Sequence, residues 1–305
     1  MGRALFGRSP HFYVGPWAAP ADARIMHLAL LETNGGGGPI SILLLAVIQG
    51  LAEFLPVSSS GHLVLGRAAL GLQEGGLALD VALHVGTLVA VILAYRADVI
   101  QLFRELLKGR LTMWIWLIVA TLPAAIIGLA LKDKVELAAS TPQYAAGGLL
   151  ITAALLLIGE SRRPKGTAAP EGDPDPEAYW GRLRISDAII LGFAQALAIF
   201  PGISRSGSTI SVAFLRGIDS YQAARLSFLM SLPAVSGAAI LELPDLFEHG
   251  VSGIDTRWIL VAMVVSAAVG FVALRTLIWV LSKGAFRYFA GYCVALSCVA
   301  FWFLR

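Results

Sequence analysis

The sequence predicts an all-α polytopic membrane protein: six transmembrane helices plus two re-entrant helix–loop–helix hairpins, arranged as an inverted-topology repeat. Three observations predict it. Of 305 residues, 57% are hydrophobic and only 14% are charged, where soluble domains carry roughly 25% charge. Six apolar runs approach the about 20 residues that cross a hydrocarbon core. Two further apolar stretches are broken at their centres and match each other in sequence. The same composition argues against a soluble globule or a disordered chain. A net charge of +3, dispersed along the chain, gives no reason to expect a nucleic-acid partner. Cys293 and Cys298 are too few for a disulfide framework and read as small residues of the last apolar run.

The elements follow in chain order. Residues 1–39 form an N-terminal extension, expected to be disordered or to follow a misassigned start, with Met26 as the true initiator. The first repeat covers 40–160: a hairpin at 40–70, then spans at 77–95, 111–131 and 144–159. Residues 161–184 carry Pro164, Pro170, Pro174, Pro176 and several charges, and read as a flexible cytoplasmic linker. The second repeat covers 185–305: a hairpin at 185–215, then spans at 225–241, 258–281 and 285–304. The two hairpin stretches cannot be plain lipid-facing helices. Pro-Val-Ser-Ser-Ser-Gly at 56–61 and Pro-Gly-Ile-Ser-Arg-Ser-Gly at 201–207 break the backbone. Such backbone persists at membrane depth only where protein or a water-filled cavity covers it.

Lys and Arg concentrate in 96–110, 161–184, 216–225 and 282–287. The opposite loops hold Lys132, Lys134 and Arg257, with Arg305 at the end and three more in the N-terminal extension. The positive-inside rule puts the first group in the cytoplasm. The sides alternate consistently only if 40–70 and 185–215 each return to their own side.

Residues 49–62 and 195–208 align without a gap at an offset of 146, with seven of fourteen positions identical. With the opposite orientations required by the charge count, this is an inverted repeat whose broken helices meet near the midplane and build a site there. The departures from identity carry the chemistry. The first copy has Glu53, Ser59 and His62 where the second has Ile199, Arg205 and Ser208.

Arg205 has two readings. It can pair with Glu53 and lock the hairpins, since an unpaired Arg at membrane depth costs roughly 2.5–3.5 kcal/mol on insertion scales. It can also bind an anion, because a guanidinium matches phosphate bidentately. The start of the following helix, with Ser204, Ser206, Gly207 and Thr209, offers N–H and hydroxyl donors to the same anion. Gln49 and Glu53, four apart, share a helix face. Glu53 could hold a metal between phosphates or orient an imidazole. Gln49 could be a neutral ligand or an interhelical hydrogen bond. Ser59 and His62 supply a hydroxyl and an acid/base group within reach of one reacting centre. Asp80 and His84 are also four apart but are left outside the core site. A transporter would use broken helices at the midplane as well, so a polyprenyl-phosphate or anion transporter or flippase is the rival reading.

Gln49-x-x-x-Glu53, followed by Phe54-Leu55-Pro56-Val57-Ser58-Ser59-Ser60-Gly61-His62, resembles the first signature of the undecaprenyl-diphosphate phosphatase (bacitracin-resistance) family. Residues 201–209, Pro-Gly-Ile-Ser-Arg-Ser-Gly-Ser-Thr, resemble its second, and Ala82-Leu83-His84-Val85-Gly86-Thr87 is similar to a further stretch. The resemblance implies a multi-pass enzyme of the bacterial inner membrane. It would hydrolyse undecaprenyl diphosphate to undecaprenyl phosphate, recycling the lipid carrier for peptidoglycan synthesis and conferring bacitracin resistance. It implies a site open to the periplasmic face, a polyprenyl diphosphate substrate and a divalent cation, Mg²⁺, held by Glu53. Position by position it implies Glu53, Ser59, His62 and Arg205 as catalytic. Gln49, Ser204, Ser206, Gly207 and Thr209 would bind substrate around them. The family accepts Glu or Gln at position 49; here Gln49 removes one possible carboxylate. The oligomeric state is left open.

Overall fold

A computed structural model describes residues 38–72, 76–164, 180, 183–249, 255–282 and 284–304. The expected N-terminal extension, apart from Gly38 and Pro39, and most of the expected linker lie outside the described residues. Among the described residues all regular structure is helical. We number the helices α1 Pro39–Phe54, α2 Ser59–Leu70, α3 Gly76–Ala94, α4 Arg96–Leu107, α5 Thr112–Ala130 and α6 Lys132–Ala139. There follow α7 Pro142–Ser161, α8 Ile185–Leu197, α9 Arg205–Leu215, α10 Ser220–His249, α11 Thr256–Ser282 and α12 Phe286–Phe303.

Five of these, α5, α7, α10 (over Ser220–Leu241), α11 (over Thr256–Leu281) and α12, are long and apolar enough to cross a membrane. The sixth expected span is α3, which runs into α4 through an 82° bend. The bend falls at Tyr95, where the sequence placed the end of that span. Both hairpins are present: α1 with α2 and α8 with α9 are short helices that pack on each other across a break.

Two segments differ from expectation. Residues 96–110 were expected as a loop, yet most of them form α4. Asp98, Leu102 and Glu105 recur at helical spacing and are buried on one face. Their charges are neutralised: Asp98 accepts from Arg225, and Glu105 pairs with Lys108 at 2.9 Å. Residues 132–143, also expected as a loop, contain α6. The span expected from 225 begins five residues earlier, at Ser220. Arg225 is therefore not a loop cation: it lies fully buried inside α10, against Asp98 of α4.

Packing follows the sequence repeat. At the offset of 146, α1 and α2 correspond to α8 and α9, α3 to α10, α5 to α11 and α7 to α12. In the structure α1 packs on α11 as α8 packs on α5, while α3 meets α10 and α7 meets α12. Small residues permit these approaches, as expected where lipid supplies no hydrophobic drive between helices. A Cβ on Gly50 of α1 would meet Val269 of α11 at 2.8 Å, and one on Gly192 of α8 would meet Pro123 of α5 at 2.9 Å. Val269 and Pro123 are themselves repeat equivalents.

The tightest point is the break after α8. Gly202 has φ +88°, a conformation that disfavours L side chains, and a Cβ there would lie 2.0 Å from the Ala145 carbonyl oxygen of α7. Thr152 of α7 bridges the same turn: its hydroxyl donates to the Gly202 carbonyl at 2.7 Å and accepts from the Ser204 N–H at 2.8 Å. Gly202→Ala is therefore expected to destabilise by about 3 kcal/mol or more, through combined clash and backbone strain. Thermal unfolding in detergent checks it against Gly147→Ala, whose Cβ meets nothing within 4 Å and should leave the midpoint unchanged or raised.

Candidate active site at the crossing of the two breaks

The backbone of each break is fixed locally. Pro56 cannot donate a helical N–H and disfavours helical geometry in the residue before it. Leu55 is accordingly extended, at φ −64° and ψ 143°, and α1 ends there. Ser58 then caps α2, its hydroxyl accepting from the Gly61 N–H at 3.2 Å. The second copy repeats this cap: the Ser204 hydroxyl accepts from the Gly207 N–H at 3.0 Å. The capping pairs are equivalent at the offset of 146, so the repeat preserves helix starts as well as sequence. One difference is strain. Ser58 holds φ +69°, the sole non-glycine residue with positive φ among those described, whereas Ser204 sits at −73°. A non-glycine residue held in such a region requires surroundings that over-determine it, and such residues cluster at functional sites.

The two breaks touch. A Cβ on Gly61 would fall 2.8 Å from Gly202 Cα, and the Ser206 hydroxyl donates to the Leu55 carbonyl at 3.3 Å. This contact brings the unlike residues of the two copies together. Glu53 is the hub. Its Oε1 accepts from Arg205 Nη2 at 2.6 Å. Its Oε2 accepts from the Ser59 hydroxyl at 2.6 Å and from Gln49 Nε2 at 3.1 Å. Arg205 also donates through Nη1 to the Ser227 carbonyl of α10 at 2.8 Å. Glu53 and Gln49 are buried, while Ser59, His62, His84 and Arg205 keep partial access and form the open side of the cluster.

Gln49, Glu53, Ser59 and Arg205 thus form one hydrogen-bonded group. The remaining predicted residues are placed around it. Ser204, Ser206 and Gly207 build the cap and the link between the breaks. Thr209 Oγ1 lies 2.8 Å from the Arg205 carbonyl and 2.7 Å from the Ser227 hydroxyl, bracing α9 on α10. His62 turns away from Ser59. Its Nδ1–H donates to the Ser58 carbonyl at 2.7 Å, so its Nε2 accepts from the Tyr292 hydroxyl of α12 at 2.8 Å. The His62 and Tyr292 rings stack, nearly parallel, with centroids 5.7 Å apart.

Sequence reasoning left His84 outside the site, and the structure corrects this. Its Nδ1–H donates to the Asp80 carbonyl at 2.7 Å, which directs Nε2 to within 3.4 Å of Glu53 Oε2. The imidazole next to Glu53 is therefore that of His84. Asp80 itself pairs with Arg67 of α2. The i,i+4 spacing of Asp80 and His84 was visible in the sequence, but the face of α3 that meets α1 was not. Tyr292 and Ser227 carried no local signal, being far from their partners in the chain.

The donor set limits any metal. No group of three His, Cys, Asp or Glu converges among the described residues. Glu53 is the one carboxylate of the cluster, and beside it the buried Gln49 Oε1 has no hydrogen-bond partner. That set fits Mg²⁺, which takes one or two carboxylates and completes its shell with water and substrate phosphate.

The chain is similar to known proteins over most of its length. The chain is 37% identical to an undecaprenyl-diphosphatase of Rubrobacter xylanophilus over 270 residues, covering 85% of this chain and 95% of that protein. It is 38% identical to an undecaprenyl-diphosphatase of Desulfatibacillum aliphaticivorans, over 83% of this chain and 94% of that one. It is also 38% identical to undecaprenyl-diphosphatase 4 of Bacillus thuringiensis, over 82% and 91% respectively. Residues 42–299, which include both breaks and every helix that meets them, match the family described as bacitracin resistance protein BacA, and the chain belongs to that family.

Proposed function

We propose that the protein is a membrane phosphatase that hydrolyses undecaprenyl diphosphate to undecaprenyl phosphate and phosphate. It recycles the lipid carrier for cell-wall synthesis, and by removing the diphosphate form it confers bacitracin resistance. The observation that carries the mechanism is the Glu53 carboxylate held between the Ser59 hydroxyl and the Arg205 guanidinium, each at 2.6 Å.

Phosphoryl transfer needs chiefly positioning and charge neutralisation. Without substrate, Glu53 is the counter-ion of Arg205. A diphosphate entering the open side offers Arg205 a bidentate acceptor in exchange for a single carboxylate oxygen. Glu53 is then released from that role while still accepting from Ser59. The Ser59 proton points at Glu53, which supports Glu53 as the base and Ser59 Oγ as the nucleophile. Attack on the terminal phosphorus forms the Oγ–P bond and breaks the P–O bond to the bridging oxygen, so undecaprenyl phosphate leaves and the proton passes to Glu53. Water then cleaves the phosphoserine and releases phosphate. His62 lies one turn along α2 from Ser59, with Nδ1 on the Ser58 carbonyl and Nε2 on the Tyr292 hydroxyl; to pass a proton to the leaving oxygen it would first take that of Tyr292 and turn towards Ser59. Glu53 with Gln49 Oε1 would hold Mg²⁺, which offsets charge on the diphosphate oxygens. The positive loops support the orientation of the spans, and the family resemblance supports a cytoplasmic-membrane location with the site opening to the periplasmic side.

Phosphate release from a polyprenyl diphosphate by pure protein in detergent tests the reading. Glu53→Ala and Ser59→Ala are expected to lower kcat by about 10²–10³-fold, on the scale of losing one positioned catalytic group. Arg205→Ala should lower kcat and raise KM together, since its contact serves both binding and the transition state. A transporter would bind the lipid and release no phosphate at any Mg²⁺ level, and that result would sink the proposal.

Chelation by EDTA should abolish turnover, and added Mg²⁺ should restore it; full activity in the chelated enzyme would remove the cation from the mechanism. His84→Ala should lower kcat by roughly tenfold with little change in KM, because His84 touches Glu53 and acts on substrate through it. An unchanged kcat would make His84 a packing residue.

A further inference from the structure

At the other end of α3, where it bends into α4, the structure encloses a cavity of about 280 Å³ against α10 and α11. It lies eleven residues along α3 from His84 and shares no lining residue with the active site. Arg96 and Arg275 line it, both exposed, and neither has a carboxylate partner among the described residues. Arg275 rests over the Phe271 ring at 5.4 Å, a cation–π contact that anchors the guanidinium and leaves its N–H donors available. Asp98 also lines the cavity, but its charge is cancelled by fully buried Arg225.

A second observation is independent of these charges. Tyr95 lines the cavity, is only 6% exposed, and its hydroxyl is buried with no hydrogen-bond partner. A buried unpartnered hydroxyl costs free energy unless something in the cavity bonds to it. The first turn of α4 opens at the same place, with backbone N–H groups that have no intrahelical acceptor. The last turn of α3 brings carbonyl acceptors to the same place, so the side chains set the balance, and Arg96 and Arg275 make it positive. Leu274 and Ile278 form an apolar wall on one side. Trp279, 62% exposed on the same helix, lies two residues before the end of the span Thr256–Leu281, and exposed Trp rings are enriched at membrane interfaces.

We propose that this cavity binds the phosphate of an anionic lipid headgroup, with Arg96, Arg275 and the Tyr95 hydroxyl as its donors and Leu274 and Ile278 against the start of the acyl chains. A phosphate takes both guanidinium groups as acceptor, and basic pockets between membrane helices on the cytoplasmic side suit such headgroups. The apolar wall and the interface level favour a lipid over free phosphate. The assignment is independent of the hydrolytic reaction.

Native mass spectrometry of the full chain in detergent, titrated with phosphatidylglycerol or phosphatidylcholine, tests it. The wild type should retain phosphatidylglycerol in preference. Arg96→Gln with Arg275→Gln should weaken that retention by roughly tenfold or more, at the per-residue scale of basic groups on anionic lipid. Tyr95→Phe should weaken it several-fold. Arg104→Gln, an exposed cation away from the cavity, should leave it unchanged. Phosphate release by the double variant should match the wild type, which shows that the fold is intact. Equal retention of the two lipids, or an unchanged double variant, overturns the site. Displacement of the lipid by millimolar inorganic phosphate would make free phosphate the ligand and overturn the lipid assignment.

Discussion

A guanidinium at membrane depth must have an anionic partner, and in this chain the partner of Arg205 is Glu53 of the opposite hairpin. Leaving either charge alone in a low-dielectric setting costs several kcal/mol. The pair therefore requires the two breaks to meet. Meeting in turn requires a residue without a side chain on each side, which Gly61 and Gly202 provide. It also requires that the exposed backbone of the breaks be satisfied from neighbouring helices. Thr152 of α7, Ser227 of α10 and the Ser206–Leu55 contact do this. The helices around the crossing are placed by that demand as much as by their own apolar surfaces.

Pseudo-symmetry explains how the scaffold is built, and its violation explains what the scaffold does. Caps at Ser58 and Ser204 and the pairing of helices obey the repeat. The functional groups do not. Glu53 faces Arg205, and at the positions equivalent to them stand Ile199 and Ser59. A fully symmetric crossing would repeat the Glu53–Arg205 pair as a second one between positions 199 and 59; Ile199 and Ser59 leave one ion pair and put a hydroxyl beside its carboxylate.

Much of this was legible in the sequence, because membrane depth makes charge scarce. With so few ionisable groups in apolar stretches, Glu53, His62 and Arg205 stood out, and the match of their two stretches at the offset of 146 placed them at one crossing. The spans followed from length alone. What was not legible depended on rotation about a helix axis or on long-range partners. His84 is visible as a residue of α3, but only packing turns it towards Glu53. His62 is visible beside Ser59, but its bond to Tyr292 of α12 depends on how α12 lies on α7. Arg225 looked like a loop cation because sequence near a span end gives no measure of burial. Helix α4 was missed because twelve residues are too few for a span and their basic residues fitted a loop equally well.

The two readings of Arg205 that the sequence left open, a lock between hairpins and an anion ligand, describe one contact in two states. A cation permanently satisfied by Glu53 would have no capacity for substrate, and a cation with no partner would destabilise the empty site. Arg205 avoids both. Nη1 is fixed to the Ser227 carbonyl, which keeps the guanidinium in register, while Nη2 holds a single oxygen of Glu53. Only the second of these bonds must be exchanged when a diphosphate arrives. The exchange replaces one charged acceptor by another, so the guanidinium is never left without a counter-charge. It also alters Glu53 at the moment Ser59 needs an acceptor for its proton. Structural locking and catalytic readiness are thus coupled through the same carboxylate. That coupling accounts for a buried ion pair standing where a hydrophobic contact would have joined the hairpins at lower cost.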